Sequence, residues 1–261
     1  MEEKYNALCV RSVNYGESDK MLTLFTLEKG LVSCKLAGAR KAKAKLRFAG
    51  EPFCFAEYVL TEKQDRRTVI EAEEIDEFYG IRTDLTRFYC ANVVLEYIRV
   101  FLVENSSEYG IFSQAITALK GIEESDCLLF LDWFLISALK ESGYGIEDFH
   151  CAVCNKKIEN RAFIDFDSSQ FFCEEHYTLA STEIRFSTYE LLSILSSLNI
   201  DDMKSIFSPD AQNGENSRLS TYRRAFDNES AKRSALKMLD YYIEVKTGCA
   251  LKTIGQLLDN V

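Results

Sequence analysis

Two short motifs concentrate the soft metal ligands of this chain: Cys151-x-x-Cys154 and Cys173-x-x-His176, eighteen residues apart. Each places two ligand atoms on one tight turn. Two such turns supply the four corners of a tetrahedron, and this spacing lies in the zinc-ribbon range. Thiolate and imidazole suit Zn2+, and four protein ligands leave no open position. The expected chemistry is therefore one structural zinc ion per chain rather than a Lewis acid for catalysis. Phe163, Phe166, Phe171 and Phe172 lie between the half-sites, enough apolar bulk for a small hairpin that needs a metal staple. The competing reading is chance pairing in a chain of nine cysteines. His150 adjoins Cys151, where simultaneous tetrahedral ligation would be strained, and is expected at the surface or behind the ligands.

Little else in the chain could do chemistry. His150 and His176 are the only two histidines. There is no G-x-S-x-G elbow, no G-x-x-x-x-G-K-[ST] phosphate loop, no H-E-x-x-H, and no upstream His-x-Glu of the kind a zinc deaminase needs. Paired carboxylates such as Glu73-Glu74 and Glu123-Glu124 read as solvated faces. No catalytic residue is assigned, and the chain is expected not to be an enzyme.

A second concentration is of charge. Net charge is −10, which argues against indiscriminate nucleic-acid binding. Yet Lys29, Lys35, Arg40, Lys41, Lys43, Lys45 and Arg47 fall between Lys29 and Gly50 with no acidic residue among them. Residues 1–80 hold 13 basic and 14 acidic side chains, the remainder 18 and 27, so the surplus negative charge sits beyond residue 80. Arg40, Lys41, Lys43, Lys45 and Arg47 are the candidate DNA-binding residues. The acidic remainder is expected to make little phosphate contact.

These motifs must be positioned by two kinds of element. Tyr5–Val13, Met21–Leu27, Leu31–Ala37, Pro52–Leu60 and Thr68–Ala72 are short β-prone runs separated by turn residues. Five such strands suit a small closed barrel, an OB-fold or an SH3-like one, and the basic stretch then becomes an inter-strand loop, where OB-folds grip single strands. Tyr15, Phe48, Phe53 and Phe55 are the nearby aromatics for base stacking, although Phe53 and Phe55 also suit a core. Beyond Tyr79 the period becomes helical: one helix capped by Asp84, then helices at about 108–120 and 126–141, with Gly143 and Gly145 as terminators. Ser187–Leu198, a long stretch from about Leu219 to Val245 broken near Asp227-Asn228, and Leu251–Leu258 also read as helices. Asp201–Ser217 reads as a loop or insert. The apolar run Cys127–Leu139 carries Asp132 and is too short to span a bilayer, so it is expected as a buried helix. An odd cysteine count and an N-terminus without a signal-peptide layout point to reduced thiols in the cytoplasm.

In order along the chain, several segments resemble the bacterial recombination mediator family RecO. They are Tyr15-Gly16-Glu17-Ser18-Asp19-Lys20-Met21-Leu22-Thr23-Leu24-Phe25-Thr26 followed by Gly30, then Ala37-Gly38-Ala39-Arg40-Lys41, Pro52-Phe53, the Cys/His module, and Gly248-Cys249-Ala250-Leu251-Lys252-Thr253. The resemblance implies an α+β chain: an OB-fold DNA-binding domain over 1–80, a helical domain over 81–148 and 181–261, and an interrupting zinc-binding module over 149–180. It implies non-catalytic work in DNA repair and recombination: binding and annealing single-stranded DNA, and helping load recombinase onto strands coated by single-stranded DNA-binding protein, in complex with RecR. It also implies a bacterial cytoplasmic protein, associated with the nucleoid when bound to DNA. Four cysteines are usual in metal-bearing members, and here His176 takes the fourth place. The alternative is a zinc-stapled transcription or adaptor protein whose barrel binds protein. For partners, a groove between helices 84–104 and 126–141 is expected to take the acidic tail of single-stranded DNA-binding protein. Leu95, Ile98, Phe130 and Phe134 would line it and Arg87 and Arg99 supply charge, the competing reading being that these aromatics fill the core.

Overall fold

The computed structural model describes residues 2–64, 66–104, 106–207 and 217–260. Its contacts divide into two compact units, one of 1–82 with 95–112, the other of 83–94 with 113–261.

The first unit is built on a closed barrel of β1 (Glu2–Tyr15), β2 (Asp19–Thr26), β3 (Gly30–Leu36), β4 (Phe55–Lys63) and β5 (Arg66–Asp76). Its order β1-β2-β3-β5-β4 is the OB-fold arrangement, which separates it from the SH3-like alternative. The 14-residue β1 serves two neighbours: Glu2 to Leu8 pair with β4, and Ala7 to Tyr15 with β2. A register shift between Cys9 and Arg11 bends the strand from one partner to the other. A parallel contact, Lys35 opposite Thr68, closes the barrel between β3 and β5.

Alternation fills the interior. Tyr5, Ala7 and Cys9 of β1, Leu22 and Leu24 of β2, Val32, Cys34 and Leu36 of β3, and Ala56, Tyr58 and Leu60 of β4 all face one core. Burial pushes the Cys34 thiol up to about 12 and that of Cys54 to about 11, so these are apolar filler rather than nucleophiles. Outside that core, Val10, Phe25 and Leu31 are buried and meet Arg99, Phe112 and Glu104 of the 95–112 segment. There the Phe112 ring lies 5.2 Å from Phe25 and 6.0 Å from Phe55, and the Arg99 guanidinium donates to the Val10 carbonyl at 2.8 Å. The barrel unit thus includes helical sequence beyond residue 80.

The second unit is helical. Its members are the first half of α1 (Leu85–Phe101), most of α2 (Tyr109–Glu124), then α3 (Cys127–Glu141), α4 (Phe186–Ser197), α5 (Ile200–Phe207), α6 (Ser217–Phe226), α7 (Glu229–Thr247) and α8 (Lys252–Asn260). Between α3 and α4 sits a three-stranded sheet, β6 (Ala162–Asp165), β7 (Gln170–Cys173) and β8 (Thr182–Ile184), in the order β7-β6-β8. Helix α3 is apolar nearly all round and accordingly buried from Leu128 to Ile136, with the Asp126 side chain capping it at the Leu129 N–H. No helix among the described residues is long and apolar enough to cross a membrane.

Two boundaries differ from expectation and a third agrees with it. The helix expected to be capped by Ser187 begins at Phe186, with Arg185 ahead of it and no side-chain cap. The segment Asp201–Ser217, expected as a loop, opens with α5, where Asn199 and Asp202 exchange side-chain-to-backbone hydrogen bonds and Met203 is buried; 208–216 lie outside the described residues. The break near Asp227-Asn228 separates α6 from α7, and the Asn228 side chain caps the second helix at the Ala231 N–H.

Candidate metal centre and nucleic-acid interface

The metal half-sites are two turns of similar construction. In the first, the Asn155 N–H bonds the Cys151 carbonyl at 2.8 Å, with Asn155 at φ 56°, where asparagine is among the better-tolerated side chains. In the second, the His176 N–H bonds the Cys173 carbonyl at 3.1 Å at the end of β7. The Ala152 N–H to Phe171 carbonyl bond, 2.9 Å, brings the turns together. One donor atom from each of Cys151, Cys154, Cys173 and His176 then lies within 4.8 Å of the others, with His176 Nδ1 at 3.2 Å from Cys173 Sγ and 3.8 Å from Cys151 Sγ. Metal bonds of about 2.3 Å to sulfur and about 2.0 Å to nitrogen put tetrahedral donors about 3.5–3.8 Å apart. The cluster can hold a metal ion.

Electrostatics agree. Burial raises the Cys151 thiol, but the N–H groups of Cys154, Cys173 and Val153 outweigh it and bring the thiol down to about 6, close to the anion that a metal requires. Cys173 is raised, first by burial and further by the neighbouring Cys151 sulfur. Three sulfurs this close repel as anions unless a cation sits among them. His150 stands outside the cluster, its Nδ1 2.6 Å from Asp148 Oδ1.

Three of the four phenylalanines do different work. Phe171 is fully buried, stacked on Phe149 at 5.0 Å and edge-on to Tyr189 at 5.2 Å, and the Tyr189 hydroxyl donates to the Phe149 carbonyl. Phe163 stacks on Tyr177 at 4.6 Å. Phe166 meets the Tyr241 ring of α7 at 4.8 Å, and Lys246 and Tyr242 of α7 bond Asp167 and Ser169 in the same β6–β7 turn. The module is therefore fastened to α4 and α7 as well as to its own ligands. Sequence spacing does not reveal that attachment, because the aromatics of α7 lie some seventy residues away.

The basic loop joins β3 to β4 through successive turns, with the Lys41 N–H on the Gly38 carbonyl and the Ala44 N–H on the Lys41 carbonyl, both 3.1 Å. It is pinned at both ends. Asp19 takes the Gly38 N–H at 2.8 Å and the Lys35 ammonium at 2.7 Å, and these partners, Lys35 first, hold its carboxyl down at about 2. At the far end Ala49 is buried, and its carbonyl accepts the Tyr58 hydroxyl at 2.8 Å. Gly38 has φ 66°, a left-handed turn that suits glycine.

Within the basic stretch the cations divide. Lys29 pairs with Glu3, Lys35 with Asp19, and the Arg40 guanidinium bonds the Gly16 and Glu17 carbonyls. Lys41, Lys43, Lys45 and Arg47 are exposed and enter no ion pair among the described residues. Arg40 thus shapes the loop while the other four are left for a ligand. Of the aromatics, Phe53 is buried at 2 % exposure and Phe55 packs on Phe112, whereas Tyr15 is 55 % exposed with the Lys35 ammonium 5.9 Å from its ring. Asp19 orders the base of the loop but is absent from the sequence-derived site, because an acid beside a turn carries no sequence signal of its own.

The expected peptide groove is not open. Leu95, Ile98, Phe130 and Phe134 are each 1 % exposed or less, so they are interior packing and present no apolar anchor surface. Arg99 is committed to the Val10 carbonyl and Arg87 to that of Glu123. The physical reason is helical period: residues spaced to line a groove are spaced equally well to fill a core.

Comparison with known proteins covers nearly the same span as the architecture. The family model described as "Recombination protein O N terminal" matches residues 1–78, and "Recombination protein O C terminal" matches 82–226, including the metal module. Among curated relatives, the DNA repair protein RecO of Clostridium novyi is 26 % identical over 201 residues, 76 % of this chain and 78 % of that protein. Its counterpart in Desulforamulus reducens is 28 % identical over 195 residues, 74 % of this chain and 76 % of the relative. That of a Thermoanaerobacter species is 30 % identical over 162 residues, 61 % and 65 %.

Proposed function

This chain belongs to the recombination protein O family of DNA repair proteins, and from that premise we propose that it handles single-stranded DNA without catalysing a covalent step. The observation that carries the reading is the β3–β4 loop, which holds Lys41, Lys43, Lys45 and Arg47 exposed and unpaired on an OB-fold barrel. Ordered cations on a barrel loop neutralise backbone phosphates without reading bases, and exposed Tyr15 offers one face for stacking. Two strands so neutralised repel each other less, which is the physical requirement for annealing. The wider role is to help load recombinase onto strands coated by single-stranded DNA-binding protein, with RecR and that protein as partners, in the bacterial cytoplasm and at the nucleoid when DNA is bound.

Zinc is the metal we assign to Cys151, Cys154, Cys173 and His176, because three thiolates and one imidazole at tetrahedral spacing match its preferences. When bound it neutralises the crowded sulfurs and closes the module. The adaptor reading, in which the barrel binds protein, leaves the four unpaired cations without a task.

The test is a titration of a fluorescent single-stranded oligonucleotide across salt concentrations. Four neutralised phosphates predict a log–log slope of about −3. Replacing Lys41, Lys43 and Lys45 together by Glu should weaken binding to all sequences alike. A triple variant that binds as the parent does would refute the assignment.

A further inference from the structure

On α7, Ser230, Arg233, Ser234 and Lys237 recur at i, i+3, i+4 and i+7, one stripe along a helical face. A third cation reaches the stripe from another element. Arg185, at the entry to α4, lays its guanidinium across it, Nη1 donating to Ser230 Oγ at 2.9 Å and to Ser234 Oγ at 3.5 Å. Together these residues line one surface concavity, whose sixth member is Glu229. That carboxylate accepts from the buried Lys232 ammonium at 2.5 Å and shares this cation with Asp126. Arg185, Arg233 and Lys237 form no ion pair with a carboxylate among the described residues.

Such convergence runs against the composition of this part of the chain, in which 27 acids outnumber 18 bases beyond residue 80. Cations on a solvated helix face in so acidic a setting ordinarily sit beside carboxylates. Here three gather with two hydroxyls and a single acid, so cations outnumber carboxylates three to one. Apart from the Glu229 carboxylate, the side chains that line the concavity can all donate: guanidinium and ammonium groups accept nothing, and the serine hydroxyls can turn to donate. Donors arriving from separate directions, one of them held by Ser230 and Ser234, suit the several oxygens of a tetrahedral oxyanion better than the flat pair of a carboxylate.

We infer that Arg185, Arg233 and Lys237, with Ser230 and Ser234, form a phosphate-binding site on the helical unit that takes a backbone phosphodiester of a DNA strand. The inference rests on the DNA-handling reading but concerns a surface distinct from the barrel loop, and it departs from the expectation that the acidic part of the chain makes little phosphate contact. The site touches phosphate only, so it adds affinity without sequence preference.

The test uses the full-length protein and single-stranded oligonucleotides of mixed sequence. Arg233→Glu with Lys237→Glu should weaken binding and lower the magnitude of the salt slope by about 0.7 for each phosphate that is no longer neutralised. Arg233→Lys with Lys237→Arg keeps the charge and should keep the slope, which separates loss of charge from a damaged helix. Thermal unfolding of both variants should match the parent, since both positions are exposed. An unchanged slope in the charge-reversed protein, while the Lys41/Lys43/Lys45 variant still loses binding, overturns this site and leaves the barrel reading standing. Protection of the parent by inorganic phosphate alone, with no effect of the reversal on DNA, also overturns it. A parent that binds no DNA overturns both.

Discussion

Replacing Cys154 by Ser removes one of the four ligands we assign to zinc and leaves the rest of the chain untouched. Structural zinc sites in small modules contribute about 10–16 kcal/mol of binding free energy at neutral pH, so an equal share per ligand is about 2.5–4 kcal/mol. At about 1.4 kcal/mol per tenfold, the variant should hold metal about 10²- to 10³-fold more weakly. Complete unfolding of the module is not expected. Phe171 remains between Phe149 and Tyr189, Phe166 remains on Tyr241, and the Lys246 and Tyr242 bonds to the β6–β7 turn do not involve the metal. The amides that should exchange faster are those of the ligand turns, Cys151, Ala152, Asn155 and His176. Amides of the barrel strands, such as those of Leu24 and Val32, belong to the other compact unit and should keep the parent's protection. Elemental analysis against a graded chelator gives the affinity, and hydrogen exchange by mass spectrometry gives the location. Parent protein purified under reducing conditions without about one metal per chain, or barrel amides that lose protection with the turns, would refute the reasoning.

Asp19→Ala should loosen the base of the basic loop, because it releases both the Gly38 N–H and Lys35; DNA affinity should fall although no cation of the proposed site has changed, and the salt titration reads it. The sign with pH is set by a carboxyl depressed from 3.8 to about 2: its contribution is present above the unfolded value and is lost as pH falls through about 2, so loop protection in hydrogen exchange should persist through mild acid. Asp132→Leu should stabilise the helical unit by about 1–3 kcal/mol, since both carboxyl oxygens are buried with no hydrogen-bond partner among the described residues and burial raises the group well above its ordinary value. A raised acid contributes most at low pH and costs stability as pH rises, so the gain from Asp132→Leu should grow with pH; denaturant melts at two pH values test both the sign and the slope.

The metal centre is legible in the sequence because its signal is local. Two ligands three residues apart share a turn whatever the rest of the chain does, so Cys151, Cys154, Cys173 and His176 group from spacing alone. The barrel is legible for a related reason, since alternation over five to nine residues survives in β1 to β4 even though strand order does not follow from it. What spacing cannot supply is partnership. Arg40 and Lys41 are neighbours in one basic run, yet one is bonded to the β1–β2 turn and the other is free, a distinction set by Gly16 and Glu17 more than twenty residues away. Leu95 and Phe130 carry the period of a groove and are interior, because period reports that a residue faces something apolar and not whether that something is a ligand or another helix. The α7 stripe is the converse case: Ser230, Arg233, Ser234 and Lys237 read as an ordinary solvated face until Arg185 is seen to cross it. A charged face becomes a candidate site when an element distant in sequence supplies a further cation and the neighbouring carboxylate is partly offset from within, and both conditions belong to the fold rather than to the motif.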